Sequence, residues 1–373
     1  MYLQKLQLEN FRNCKNLTLE IEPKPGITIL LGNNAEGKTN LLESIFLLSF
    51  PRSFRSKSPR ELITFNENYY TIEADFKTDE DKDLKLKIGH QLKPVRRSYQ
   101  RNKIEIGLKE YLTNFQSVIF TPEDIEIING APSQRRRLVD TLLSQIDREY
   151  FQDMVSFTRI LKQRNALLKQ LKEHKADHDE LRFWDTELIK YTVNIVEKRR
   201  KYFDFVAQKM KQIYTDISGD ATEKIEVEYS YPAKNRAGHY ETYEDALRAY
   251  LHDEQNQEII VGHTLIGPHR DDFQFKLNGK LVSQFCSRGE KRSFMLALKV
   301  IEIEYQKQAT GQKPVLLLDD VFSELDRERR IKLLELTENY QTFISTVEES
   351  YFAGFNKEKI NLFSVCEGSL NML

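Results

Sequence analysis

The sequence predicts an α/β protein whose head is assembled from both ends of the chain, with an α-helical arm inserted between them. Three observations carry this expectation. A glycine-bearing loop, GNNAEGKT (32–39), stands between a short apolar run and an apolar helix near the start. A second apolar run ending in two carboxylates, PVLLLDD (314–320), lies near the other end. Between them, residues 133–217 contain no proline and carry helical periodicity. The expected division is 1–130 for the first part of the head, 131–258 for a mainly helical arm and 259–373 for the second part of the head.

The elements follow in order. YLQKLQLENF alternates apolar and polar residues, the period of a half-buried strand, and ITILL (27–31) is a short buried run. After the loop, NLLESIFLLSF (40–50) reads as a helix, and PRSFRSKSPRE (51–61) as a basic loop. Residues 69–120 read as strands and hairpins, with DEDKD (79–83) a solvated turn. In the arm, Tyr150, Met154, Phe157, Leu161, Leu168 and Leu171 recur at 3-4 spacing, interrupted by Arg164. After the polar break HKADHDE (174–180), Leu181, Trp184, Leu188, Tyr191, Ile195, Tyr202 and Phe205 repeat it, interrupted by Lys198. These are the seam positions of an antiparallel helical pair, with Trp184 in its core. Residues 225–231 read as a strand, 240–258 as a helix and 272–285 as a hairpin about Asn278-Gly279. FISTV (343–347) and INLFSV (360–365) complete the strands.

Composition bounds the function. The 373 residues are 40% apolar and 30% charged, with net charge −1, so no global field draws nucleic acid and any basic surface is local. Cys14, Cys286 and Cys366 share no ligand spacing, which argues against a disulfide framework or a zinc site. The opening MYLQKLQLENFRN carries charge too early for a signal peptide. No apolar run approaches the about 18 residues of a membrane span. A cytoplasmic protein without a membrane partner is expected.

Gly32, Asn33, Asn34, Ala35, Glu36, Gly37, Lys38 and Thr39 fit G-x-x-x-x-G-K-[ST] in the strand-loop-helix context that gives the pattern its meaning. Glycines let backbone N–H groups face phosphates, Lys38 reaches the β- and γ-phosphates, and Thr39 offers a hydroxyl to Mg²⁺. The partner such a loop requires is an acid at a strand end. Asp319 is expected to hold Mg²⁺, and Asp320 to orient or deprotonate the attacking water. ATP and Mg²⁺ are the expected cofactors.

FCSRGEKRSFMLALK (285–299) places Ser287, Gly289 and Glu290 at a helix start. One reading is an ordinary N-cap, and the other a phosphate grip. Phosphate loop, acidic strand and S-x-G-[EQ] loop together describe the ATP-binding cassette class, in which the S-x-G loop of one subunit closes over ATP held by the other. Within that class the chain resembles the RecF family over essentially its whole length. LQLENFRNCKNLTLEI, Pro122-Glu123-Asp124, the segment from Gly130 to Asp140, LKQRNALLK (161–169), GPHRDD (267–272) and LLLDDVFSELD (316–326) carry the resemblance. Leu138 stands where the family usually has an aromatic, and Lys291 where the signature usually has Gln. In FISTVEE the switch histidine of transporters is absent, with Thr346 near its place. The resemblance implies an ATP-dependent homodimer that binds gapped DNA, single-strand/duplex junctions and duplex, hydrolyses ATP slowly, and acts with RecR and RecO to load RecA. It also implies a dimer contact through Ser323 and Asp326, and an ATP-lining role for Arg12 in ENFRN.

Arg52, Arg55, Lys57 and Arg60 are the leading candidates for phosphate-backbone contact. Lys93, Arg96, Arg97, Arg101 and Lys103 form a second set. Arg135, Arg136 and Arg137 either meet nucleic acid or pair with acids such as Glu123 and Asp124. His269 and Arg270 support either the nucleotide pocket or the joint between arm and head. Three rival functions follow from the same motifs: a transporter ATPase subunit, a chromosome-organising head, and an adaptor without useful hydrolysis. Arm helices of roughly 40–55 Å at 1.5 Å per residue are too short for a tethering ring.

Overall fold

The structure, a computed structural model, describes residues 1–21, 26–56, 58–352 and 360–373. The chain divides into two compact units, Met1–Asp124 with Arg292–Leu373, and Ile125–Lys291. The α/β class and the insertion of a helical segment between two halves of a head are therefore present. The expected boundaries at 130 and 258 fall instead at 124 and 291. The second shift has a simple cause: Asp272–Leu277 pairs antiparallel with Ile225–Ser230 along its whole length, which binds residues 259–291 into the second unit.

Fifteen strands are found among the described residues. In the first unit these are β1 (Tyr2–Phe11), β2 (Cys14–Glu20), β3 (Ile27–Leu31), β4 (Tyr69–Lys77), β5 (Asp83–Leu92), β6 (Val95–Arg101), β7 (Ile104–Glu105) and β8 (Ser117–Phe120). The second unit holds β9 (Ile225–Ser230), β10 (Asp272–Leu277) and β11 (Lys280–Leu281). The first unit then resumes with β12 (Val315–Asp319), β13 (Thr342–Thr346), β14 (Ile360–Cys366) and β15 (Ser369–Met372).

The first unit has two six-stranded sheets. One is antiparallel in the order β2-β1-β4-β5-β6-β7; β4 buries every second residue, and β1 alternates with a register shift between Leu3 and Lys5. The other runs β15-β14-β3-β13-β12-β8 and is parallel from β14 to β8. β8, β12 and β13 at its centre and one side are buried at every position, as required where both faces are covered. The helix Lys38–Ser49 touches strands of both sheets. Leu41, Leu42, Ile45, Phe46, Leu47 and Leu48 are all buried, the pattern of a helix enclosed on every side. One cluster joins them to Leu6, Ile72, Leu317 and Phe343.

In the second unit the helical stretch is broken into Pro132–Ile146, Arg148–Lys172 and Asp179–Ser218. Asp147 makes the first break, capping the following helix by accepting a hydrogen bond from Tyr150 N at 2.9 Å. The long pair has 25 and 40 residues, about 38 and 60 Å. Tyr150, Phe157, Leu168, Leu171, Leu181, Leu188, Ile195 and Tyr202 are buried as their spacing predicts. Trp184 is only partly buried, packed beside Leu167, Leu168, Leu171 and Leu181. Arg164, which interrupts the stripe, is wholly buried, and so is Arg199 beside the expected interruption at Lys198. The Asn278-Gly279 turn is confirmed by positive φ at both residues (50° and 77°). No described helix is long and apolar enough to cross a membrane.

Candidate functional site

The parallel sheet delivers three chain segments to one edge. Leu31 at the end of β3 pairs with Thr346 of β13, and Ser345 of β13 pairs with Asp319 of β12. Ligands of open parallel sheets collect outside these carboxyl ends. Gly32 leaves β3 so close to β14 that a Cβ would lie 2.5 Å from the Val365 carbonyl oxygen. Gly37 has φ of 112°, and a Cβ there would lie 2.7 Å from Asn13 Nδ2. Ala35 also adopts positive φ (71°). Gly37 is the N-cap of helix Lys38–Ser49, and no side chain caps that helix. Its first N–H groups are therefore placed to receive an anion.

Lys38 is buried, and its Nζ donates to the carbonyls of Gly32 and Asn33, both at 2.8 Å. Burial lowers the Lys38 pKa, opposed by the charges of Asp320, Asp319 and Glu36. Thr39 Oγ1 donates to Asp319 Oδ1 at 2.8 Å, across a separation of 280 positions. Ser345 Oγ donates to the same oxygen at 2.7 Å. Burial raises the Asp319 carboxyl above its ordinary range, and these two hydrogen bonds oppose the shift. Asp320 follows with φ of 53°, its N–H held by Ser345 Oγ at 3.0 Å. The loop, Lys38, Thr39, Asp319 and Asp320 thus converge as their motifs predict.

Residues that the motifs do not name hold the loop in place. Asn13 Nδ2 donates to the Glu36 carbonyl at 3.1 Å, and Asn40 Nδ2 donates to Asn13 Oδ1 at 2.8 Å. The Glu36 carboxylate accepts from Glu367 N at 2.7 Å, and its carbonyl from Gly368 N at 3.0 Å. The Arg12 guanidinium lies on Glu43, with both carboxylate oxygens at 2.8 Å, and it also donates to Glu61 O and Ser56 Oγ. Glu43 is wholly buried within the loop's helix and also takes a hydrogen bond from Ser53. Its one visible signal is an acid inside the apolar run NLLESIFLLSF.

Ser287 and Glu290 form a reciprocal capping box: Ser287 N donates to Glu290 Oε2 at 2.7 Å, and Glu290 N to Ser287 Oγ at 3.2 Å. Gly289 lies in the first turn of the helix so capped, Arg288–Thr310. The Ser287 hydroxyl accepts in this box and keeps its proton for another acceptor. Ser323 Oγ donates to the Asp320 carbonyl at 2.8 Å. Asp326 caps helix Arg327–Thr337, accepting from Arg329 N at 3.0 Å, and also pairs with the Arg329 guanidinium. Ser323 and Asp326 are both exposed.

Arg52, Arg55 and Arg60 are exposed, and Lys57 lies outside the described residues. Arg55 donates to Asn40 Oδ1 at 2.8 Å. In the second basic set, Lys93 lies in the turn between β5 and β6, Arg96 pairs with Glu105 at 3.0 Å, and Arg101 donates to Asn114. Arg135 does not pair with Glu123 or Asp124. It makes a two-pronged pair with Asp272 at 2.6 and 2.9 Å, while Arg136 donates to the Asp271 carbonyl. Asp124 instead faces Lys299 at 3.6 Å. His269 lies tilted beside the Phe157 ring within the second unit, and burial pulls its pKa down to about 4.

The chain matches the family described as the RecF/RecN/SMC N terminal domain over residues 2–369. It is 37% identical to the DNA replication and repair protein RecF of Caldanaerobacter subterraneus subsp. tengcongensis, covering 95% of this chain and 96% of the relative. It is 34% identical to the RecF of Clostridium acetobutylicum, covering 99% of each. Among solved structures, it is similar to the recombination mediator protein RecF-ATP in the RecFOR pathway, with TM-score 0.91 and 35% identity over 100% of this chain and 97% of that one. An Smc head domain of Pyrococcus furiosus, at 16% identity and TM-score 0.54, covers 100% of this chain and 96% of its own, and shares the fold.

Proposed function

We propose that this chain, which belongs to the RecF family of DNA replication and repair proteins, is an ATP-driven homodimer that grips gapped or duplex DNA, hydrolyses ATP slowly to release it, and works with RecR and RecO to load RecA. The observation that carries the reading is the meeting of Thr39 and Asp319 at 2.8 Å beside the buried ammonium of Lys38. A hydroxyl and a carboxylate are hard oxygen donors that suit Mg²⁺, and they are too few to enclose it alone. No group of three or more His, Cys, Asp or Glu able to hold a metal exists among the described residues. Phosphate and water oxygens would complete the shell, the pattern of a nucleotide-borne ion. Thr39 and Asp319 would hold Mg²⁺ there, and the ion would supply neutralisation of charge on the phosphates.

The chain's own groups do the rest. Lys38 turns its donors from two loop carbonyls to the phosphate oxygens, and the loop N–H groups cradle them. Asp320 orients the attacking water and accepts its proton. Ser287 and the N–H groups at Gly289 and Glu290 reach ATP held by the second copy, with Ser323 and Asp326 at the dimer contact. Arg52, Arg55 and Arg60, together with Lys57, meet the DNA backbone. The solved relative's ATP supports the choice of nucleotide.

Sedimentation of wild type and Ser287→Arg, with and without ATP and Mg²⁺, tests this. The reading expects ATP to turn wild-type monomer into dimer and the variant to stay monomeric. A wild type that binds ATP yet remains monomeric with gapped DNA present would overturn the dimer switch.

A further inference from the structure

β13 lies between the strand that launches the phosphate loop and the strand that ends in the acids. Its residue at the sheet edge, Ser345, sits opposite Asp319 and is wholly buried. The Ser345 hydroxyl has one proton, and it goes to Asp319 Oδ1 at 2.7 Å. Its oxygen accepts the Asp320 N–H at 3.0 Å. A single side chain therefore touches both neighbouring acids, through the carboxylate of one and the backbone of the other.

Each contact has a physical purpose. A buried carboxylate held only by Thr39 retains rotation about its side-chain torsions. A second donor from a different element fixes it. Both hydroxyls take Oδ1, and among the described residues none donates to Oδ2. Asp320 has a left-handed backbone (φ of 53°), which residues other than glycine adopt only occasionally. The Ser345 oxygen helps hold it, sharing the Asp320 N–H with the Ser345 carbonyl at 3.3 Å. Alanine at 345 would keep the strand and the carbonyl but release both side-chain contacts.

We infer that Ser345 is the positioning residue of the acid pair, setting the Asp319 carboxylate toward a phosphate-borne cation and, with the same hydroxyl, the turn that presents Asp320. The inference rests on the ATPase reading and adds to it a residue that the motifs do not name. Ser345 acts through Asp319 and Asp320 and touches no substrate itself.

The test is a Mg²⁺ titration of binding of a fluorescently labelled ATP to the full chain, for wild type, Ser345→Ala and Ser345→Thr. Loss of an oriented partner behind a metal ligand costs about 10–100-fold in metal affinity. Ser345→Ala is expected to raise the half-saturating Mg²⁺ by about that factor, with labelled-ATP binding in EDTA unchanged. Ser345→Thr, which keeps the hydroxyl, is expected to restore wild-type Mg²⁺ dependence. Ser345→Cys, similar in shape with a weaker donor, gives an intermediate value and keeps the test open should alanine unfold the strand. An alanine variant that titrates Mg²⁺ as wild type does would overturn the positioning role. Wild type without any Mg²⁺-dependent nucleotide binding would overturn the ATPase reading itself.

Discussion

The Arg164 guanidinium meets the Glu258 carboxylate at 2.6 Å, with both side chains wholly shielded from solvent. The same guanidinium reaches Asp185 at 2.7 Å and Thr264 at 2.9 Å. Three helical or loop segments far apart in sequence are thereby tied through one cation. Removing one member of such a network leaves an uncompensated buried charge, at a cost of about 3–5 kcal/mol. Arg164→Met is expected to lower the urea midpoint of the full chain accordingly. Arg164→Met combined with Glu258→Gln should recover part of the loss, since the second change removes the orphaned charge. An Arg164→Met midpoint within error of wild type would show that the network contributes nothing.

In the proposed reaction Lys38 supplies charge where it develops on a transferred phosphoryl group. Lys38→Arg keeps a cation but not the compact ammonium that fits between the loop carbonyls. Turnover is expected to fall by about 10²–10³-fold while much ATP binding survives. Comparing steady-state hydrolysis with equilibrium binding of labelled ATP separates the two effects, and normal turnover would remove Lys38 from its assigned role.

Replacing Arg52, Arg55 and Arg60 together by Ala should weaken DNA binding uniformly across sequences. The slope of log affinity against log salt should shrink by roughly one for each arginine–phosphate pair that the substitutions abolish. Fluorescence anisotropy at several salt concentrations reads both. An unchanged slope would transfer the DNA surface elsewhere, and Arg96→Ala with Arg97→Ala would then be the next pair to measure.

His269 and Asp271 make opposite demands on pH. Burial depresses His269 to about 4, with Thr264 opposing and Arg270, Arg136 and Arg199 reinforcing the shift. The unfolded chain therefore takes up a proton between about 6.5 and 4 that the folded chain refuses, so stability falls as pH drops through that window. Asp271 is raised to about 6 by burial, against the pull of Arg199. Between about 6 and 3.8 the folded chain holds the proton and the unfolded chain releases it, so this group stabilises on acidification. His269→Gln leaves only the second effect. Relative to wild type, the variant should gain on the order of 2 kcal/mol between pH 7 and pH 4.5, after discounting for partial exposure. Denaturant titrations at the two pH values measure it, and parallel pH profiles would refute the assignment.

What could be read in the sequence was whatever depends on local pattern. Gly32 to Thr39 and the run ending at Asp319 announce their geometry because a phosphate loop needs those residue types in that order. The alternation of Tyr2–Phe11 likewise declares a half-buried strand. Arg164 shows in the sequence only as a break in an apolar stripe, and Arg199 not at all, the break there being read at Lys198; their partners Glu258 and Asp271 lie 94 and 72 positions away. Arg135 was open between nucleic acid and the nearby acids Glu123 and Asp124, yet its partner is Asp272, 137 positions on. Ser345 carried no signal at all, because its role depends on the strand order β3-β13-β12 and not on its neighbours in FISTV.

The distance along the chain between Thr39 and Asp319 also sets a schedule for synthesis. The phosphate loop leaves the ribosome with its strand, β3, lacking both of its lateral neighbours. At about 5–20 residues per second, the 280 positions to Asp319 take roughly 15–60 s. Throughout that interval the apolar strand waits for partners that do not yet exist and the apolar helix has only the antiparallel sheet and β8 to pack against, while the interrupting segment is free to collapse on its own. A message truncated before β13 yields a chain that holds Lys38 and Thr39 but can never close their site. Synthesis of β12 and β13 and acquisition of the nucleotide site are, for this topology, nearly the same event.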